Sequence, residues 1–259
     1  MSARGTDLGV LRVVAERSGL LQTFRAAHAI SEAGASLAVS ADEAPRYRWL
    51  SRYFDCRYEI DADAPDLEVV IDHSRPQVRI GHMERPLLYA HAVFDAYRAQ
   101  WSSDRPLRYS FAGFGTPARR LAIKRWAATN GVRMPNALRR GSSELDLRYS
   151  RTGREWPEKA WDPGYVAALG RAQFALCPSG DFVWTYRFFE AAAAGALPII
   201  EHFCDLYDGF VFHTFADPAC SFEWTATAAK HNAALVRDRL TVPTADLAEA
   251  IRAELQLHQ

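Results

Sequence analysis

Short apolar runs alternate with longer amphipathic stretches along this chain, and the alternation restarts once. In the first pass residues 10–15 predict a strand, 22–33 a helix that Gly34 stops, and 35–39 the next strand. Residues 46–54 follow as an aromatic-rich amphipathic helix, and 67–71 as a β-branched strand. A long helix over 87–101 is closed by the polar, proline-ended segment 102–106, which is the expected domain boundary. In the second pass 108–112 is a strand, Gly113-Phe114-Gly115 its loop and 117–129 a helix whose first turn suits Pro117. Residues 145–149 give a strand, 165–171 a short helix, and 246–257 a final amphipathic helix.

The most organised stretch is 174–201. Phe174 to Cys177 is a buried strand stopped by Pro178-Ser179-Gly180, Thr185 caps a helix over 186–194 that Gly195 ends, and 197–200 is a second buried strand. This is a βαβ unit, whose handedness puts the loop at the carboxyl edge of a parallel sheet. Its polar residues are few. A Ser-Gly loop before a helix amino terminus offers free N–H groups, and Arg187 adds a fork of donors, so the loop is an anion-site candidate. Glu190, three residues on and on the same face, is placed to accept hydrogen bonds from vicinal hydroxyls. The alternative is that Arg187 and Glu190 pair with each other on a solvated face, for about 0.2–0.5 kcal/mol.

The segments Phe174-Ala175-Leu176-Cys177-Pro178-x-Gly180, Thr185-Tyr186-Arg187-x-x-Glu190-Ala191 and Gly195-Ala196-Leu197-Pro198-Ile199 together resemble the donor-binding signature of the exostosin-like glycosyltransferases. In that family the pattern runs F-x-L-x-P-x-G, S/T-x-R-x-x-E-A and G-x-x-P-V/I in the same order. The resemblance covers about a third of the chain and implies the GT-B arrangement, two Rossmann-like domains facing across a cleft, with the nucleotide-sugar donor bound in the second. It also implies that Arg187 contacts the donor pyrophosphate and Glu190 the ribose or the donor sugar. Residues 203–239 depart from the family pattern.

The fold class expected is therefore α/β, with a shortened amino-terminal Rossmann-like acceptor domain over 1–104 and a donor domain over 105–259. A single continuous sheet is the alternative. The 259 residues, 49% of them hydrophobic, suffice for one large core or two small ones. A formal net charge of zero supplies no basic surface for nucleic acid. Cys56, Cys177, Cys204 and Cys220 have no metal-type spacing, which suits a reducing, cytoplasmic and bacterial setting. The most apolar run, 191–200, falls short of the roughly 18 residues a membrane helix needs, so no transmembrane segment is expected.

A transferase of this type needs an anion site for its leaving group and, if it inverts, a base. The donor site is assigned to Gly113, Ser179, Gly180, Thr185, Tyr186, Arg187 and Glu190, without metal or other cofactor, the nucleotide-diphosphate sugar being a co-substrate. The base is sought at the carboxyl ends of amino-half strands, in either Asp72-His73 or His82 with Glu84. The second pair is preferred, because its Gly81-His82-Met83-Glu84-Arg85-Pro86 setting describes a fixed, exposed loop. Arg85 is a clamp for a charged substrate or a surface ion-pairing residue. Asp61-Ala62-Asp63 spells a metal-binding D-x-D, but the residues before it are too polar for the apolar strand that motif follows, so it reads as a solvated turn. Gly113-Phe114-Gly115 lacks the spacing of a dinucleotide site, which disfavours a dehydrogenase. Phe182, Trp184 and Tyr186 flank the anion loop as candidate stacking partners for a base, or as core. The competing reading is a non-catalytic partner that binds a nucleotide sugar or a glycan.

Overall fold

The alternating blocks fold into two sheets, one in each of two units of an α/β chain. The computed structural model describes residues 8–15, 21–72, 76–135, 144–150, 157–180 and 182–257. Unit 1 gathers Met1–Asp95, Trp156–Trp161 and Arg237–Gln259, and unit 2 gathers Ala96–Glu155 and Asp162–Val236. The division differs from a single cut after Asp104, because the carboxyl-terminal stretch returns to the amino-terminal unit.

Unit 1 carries a six-stranded sheet in the order β3-β2-β1-β4-β5-β6. Strands β1 (Val10–Ala15), β2 (Ser36–Val39), β3 (Tyr58–Ile60) and β4 (Asp66–Asp72) are parallel, whereas β5 (Gln77–Ile80) and β6 (Met83–Arg85) run back and forth beside β4 as antiparallel neighbours. Between β1 and β2 lies α1 (Leu21–Glu32), buried from Leu21 through Ser31. Between β2 and β3 lies α2 (Ala44–Leu50), with Pro45 in its first turn. β3 went unread because it is an edge strand with Glu59 and Ile60 exposed, and an edge strand needs no continuous apolar run. The helix expected over 87–101 is α3 (His91–Ala99). Leu87 to Ala90 are buried but not helical, and the Tyr89 N–H donates to Leu240 O at 2.8 Å.

Unit 2 carries a fully parallel five-stranded sheet in the order β11-β10-β9-β7-β8. Its strands are β7 (Leu107–Phe114), β8 (Leu145–Ser150), β9 (Ala172–Cys177), β10 (Leu197–Ile200) and β11 (His213–Thr214). β10 is buried at all four positions and β9 at five of six, as expected for a sheet covered on both faces. Tyr109, Phe111, Phe174, Leu176, Leu197 and Ile199 pack with Ile123 and Trp126 of α4 (Pro117–Thr129) in one apolar core. α5 (Pro163–Arg171) is capped by Asp162, whose Oδ1 accepts from Tyr165 N at 3.0 Å, and α6 (Tyr186–Ala193) by Thr185, whose hydroxyl accepts from Arg187 N at 3.2 Å. Gly195, at φ 79°, ends that helix in the left-handed conformation. α7 (Ala226–Leu240) was not foreseen, because its buried side is written largely in alanine, Ala229 and Ala233, with Val236 and Leu240. α8 (Thr244–Leu257) follows in unit 1.

Among the described residues no helix is long and apolar enough to cross a membrane.

Candidate functional site

Growth of the unit 2 sheet changes direction at β7, with β8 on one side of it and β9, β10 and β11 in turn on the other. Loops leaving the carboxyl ends of two strands at such a point diverge, and the crevice between them is where open α/β sheets bind ligands. Here β7 runs on through Gly113 and Phe114, which were expected in its loop, so the two connections are Gly115-Thr116 and the segment that begins Pro178-Ser179-Gly180, and each leads into a helix capped by a threonine.

An arginine from the first turn of each helix crosses this region. Arg187 donates through Nε and Nη2 to Ala112 O at 3.2 and 2.8 Å, with its guanidinium carbon 4.3 Å from the centre of the Phe111 ring. Arg119 donates through Nε to Ser179 O at 3.0 Å and through Nη1 to Phe114 O at 3.3 Å. A glycine at the end of β7 and another in the loop after β9 make room for these groups. A Cβ at Gly113 would strike the Arg187 guanidinium, and one at Gly180 would strike that of Arg119.

The loop after β10 completes the arrangement. Ser179 N–H donates to Glu201 Oε2 at 3.1 Å, and Ser179 Oγ shares a hydrogen bond with His202 Nδ1 at 3.1 Å. Thr185 N–H donates to the buried Tyr207 hydroxyl at 2.9 Å. Phe182 is exposed and stacks on buried Trp184, with ring centres 6.3 Å apart and planes at 13°; Tyr186 meets Trp184 edge-on at 4.9 Å. The loops after β7, β9 and β10 are thus joined by side chains, with two guanidiniums among them.

Gly113, Ser179, Gly180, Thr185, Tyr186 and Arg187 all lie on or beside these loops. Glu190 does not join them. It is 2% exposed, its Oε1 accepting from Tyr97 OH at 3.0 Å and its Oε2 from Tyr165 OH at 2.6 Å. One further helical turn carries the carboxylate away from the crevice and into the packing of α6 against α5 and α3. The expected grip on sugar hydroxyls is therefore corrected: both oxygens hold tyrosines, and a ligand would have to displace one. Nor do Arg187 and Glu190 pair with each other, since each has taken other partners.

His82 and Glu84 belong to unit 1. Because β5 is antiparallel to β4, its carboxyl end and the Gly81-His82 turn lie at the amino edge of the parallel strands β1 to β4. A hairpin in place of a crossover reverses the edge on which the expected base stands. Both side chains are exposed, and Glu84 accepts from Gln77 Nε2. Asp72 ends β4, while His73 lies outside the described residues.

Arg119, Glu201, His202 and Tyr207 were missed. For Arg119 a signal was present: Thr116-Pro117-Ala118-Arg119 repeats the threonine cap and first-turn arginine of Thr185-Tyr186-Arg187. Cys177, at the buried end of β9, is no candidate nucleophile, because burial pushes its thiol up to about 12. Among the described residues no three His, Cys, Asp or Glu side chains are gathered as a metal site.

The chain matches no family model, and no curated protein or solved structure is significantly similar to it.

Proposed function

We propose that unit 2 binds a nucleoside diphosphate, and that the protein is a glycosyltransferase moving a sugar from a nucleotide-diphosphate sugar to a hydroxyl acceptor. The observation that carries this reading is the convergence of Arg119 and Arg187 on the loops after β7 and β9, at the point where the sheet reverses its order of growth. A guanidinium has five N–H donors, and the carbonyl bonds of Arg187 use only two of them. The remainder, with the N–H groups opening α4 and α6, suit a diphosphate whose charge grows as the sugar departs. Phe182 offers an exposed ring face for the base.

The sugar-transfer step rests on the order of the three signature segments in the sequence. Glu190 enters it as a positioning residue that fixes α6 through two tyrosines. His202, on Ser179 at 3.1 Å, is the histidine standing at these loops and takes the place of His82 as candidate proton carrier.

The second reading, a non-catalytic nucleotide-sugar-binding protein, is favoured by the position of His82 and Glu84 at the opposite sheet edge. Titration calorimetry with uridine, guanosine, adenosine and thymidine diphosphates tests the shared claim. At least one should bind, and Arg187→Ala and Arg119→Ala should each weaken it. Slow hydrolysis of the matching nucleotide sugar separates the enzyme from the binding protein. If no diphosphate binds, or binding survives both substitutions unchanged, the assignment falls.

A further inference from the structure

A cavity of about 580 Å³ lies within unit 1, and none of the residues of the proposed diphosphate site lines it. It originates in the sheet. β1 pairs with β2 only at Val10 and Leu11, opposite Ser36 and Leu37; from Arg12 onward β1 is registered on β4, while β2 continues along β3. Beyond Leu11 the ladder between β1 and β2 stops, and Arg12 and Val13 face Ala38 and Val39 across the opening.

The charged walls are few and specific. Arg12 comes from β1 and Arg46 from α2, while Ser40, Glu43 and Asp61 come from the segments leaving β2 and β3. Arg12 Nη2 donates to Ala62 O at 3.1 Å, and among the described residues neither Arg12 nor Asp61 belongs to an ion pair. Arg46 lies over the Phe24 ring at 5.3 Å, and Glu43 accepts from Ser40 Oγ at 3.3 Å. Asp61 has φ 53°, the one non-glycine residue in the left-handed region among those described. Its N–H donates to Val39 O at 2.9 Å, and its neighbour Ala62 takes the Arg12 bond, so the turn is held from both sides. A strained turn fixed in this way, on the wall of a cavity, is a feature associated with ligand sites.

We infer that this cavity binds a small polyhydroxylated acid, a sugar-sized molecule with one carboxylate or phosphate. Arg12 and Arg46 hold its oxyanion, and Asp61 with Glu43 accepts from its hydroxyls. The volume lies in the range of small-molecule sites, roughly 300–1,000 Å³. The Asp61-Ala62-Asp63 turn then carries hydroxyl recognition rather than a metal.

The test is calorimetry on the whole chain with D-glucuronate, D-glucose 6-phosphate and neutral D-glucose. One or both acids should bind, and glucose at least about tenfold more weakly, the effect of one charge-assisted contact. Binding of glucuronate alone assigns a carboxylate ligand, and binding of the 6-phosphate alone a phosphate. Arg12→Gln, at an exposed position, should lower acid affinity about tenfold with the fold intact by circular dichroism. Asp61→Asn, which tolerates the left-handed backbone, should lower it several-fold. Arg187→Ala should leave it unchanged. Failure of both acids to bind, equal binding of glucose, indifference to Arg12→Gln, or loss in Arg187→Ala each overturns the inference. Diphosphate binding measured in parallel reports on unit 2 alone, so the two readings fail separately.

Discussion

Arg105 and Arg187 both meet the ends of helices in unit 2, but at opposite edges of its sheet. Arg105, 5% exposed, donates to Leu169 O, Ala172 O and Ala194 O, where α5 and α6 end, and sits 5.3 and 5.0 Å from the Trp101 and Trp224 ring centres. Its positive charge meets the negative ends of two helices. Arg187 stands half-buried in the first turn of α6, where the helix presents N–H groups instead of carbonyls. At the first edge a cation completes the fold and is sealed in. At the second it stands beside the positive end of a helix, where the proposed diphosphate would supply the balancing charge. On the proposed reading the same residue type is structural at one helix end and receptive at the other.

The largest expected effect belongs to the sealed edge. Arg105→Ala strips three carbonyls of their donor and empties a space between two tryptophans, and should cost about 3–5 kcal/mol of unfolding free energy. Denaturant unfolding measures it, and a loss below 1 kcal/mol would break the comparison. Glu190→Ala comes next, removing the buried carboxylate that accepts from the Tyr97 and Tyr165 hydroxyls, at about 2–3 kcal/mol. A Glu190 variant that kept its stability while losing nucleotide binding would restore the direct sugar contact that its burial argues against.

At the receptive edge the order inverts. Arg187→Ala should lower nucleoside diphosphate affinity about 10–100-fold, or 1.4–2.8 kcal/mol, while costing about 1 kcal/mol or less in stability. Arg119→Ala should behave alike. A stability loss matching that of Arg105→Ala, with no change in binding, would make Arg187 one more structural cation.

How far these roles were legible depends on the range over which each is written. Residues 117–129 and 197–200 read correctly because cap, proline and apolar run are contiguous, and β1 likewise. The end of β9 and the start of α6 were legible from Pro178-Ser179-Gly180 and Thr185 for the same reason, whereas Gly113 and Phe114, expected in a loop, continue β7. What escaped is set by distant chain. The acceptor of Tyr97 OH lies 93 residues away, so nothing local distinguishes Glu190 as a buried anchor from Glu190 as a ligand contact. His82 was misplaced because an apolar strand carries no mark of whether its neighbour is parallel. Arg105, in a polar, proline-ended segment, looks like a linker until Ala194 and Ala172 are folded over it.

His28 in unit 1 carries the comparison to a buried base without such acceptors. Arg105 keeps its charge, burial and then Arg98 lowering it only to about 10, because carbonyls face it. His28 is 1% exposed against the Phe54 ring at 4.8 Å, and its Nδ1 finds no partner among the described residues. Burial, and then the neighbouring Arg25, lower its pKa to about 3. Since the folded value lies below the ordinary 6.5, the unfolded chain binds the proton first as pH falls. Stability is complete above pH 6.5 and declines between there and about 3, by about 1.4 kcal/mol at pH 5.5. Subtracting the unfolding free energies of His28→Leu from those of the parent chain at each pH removes the shared carboxylate contribution. The difference should fall with acid over that window; a flat difference would mean that His28 takes up its proton as readily in the fold as in the unfolded chain, and a rising one that an acceptor holds it charged.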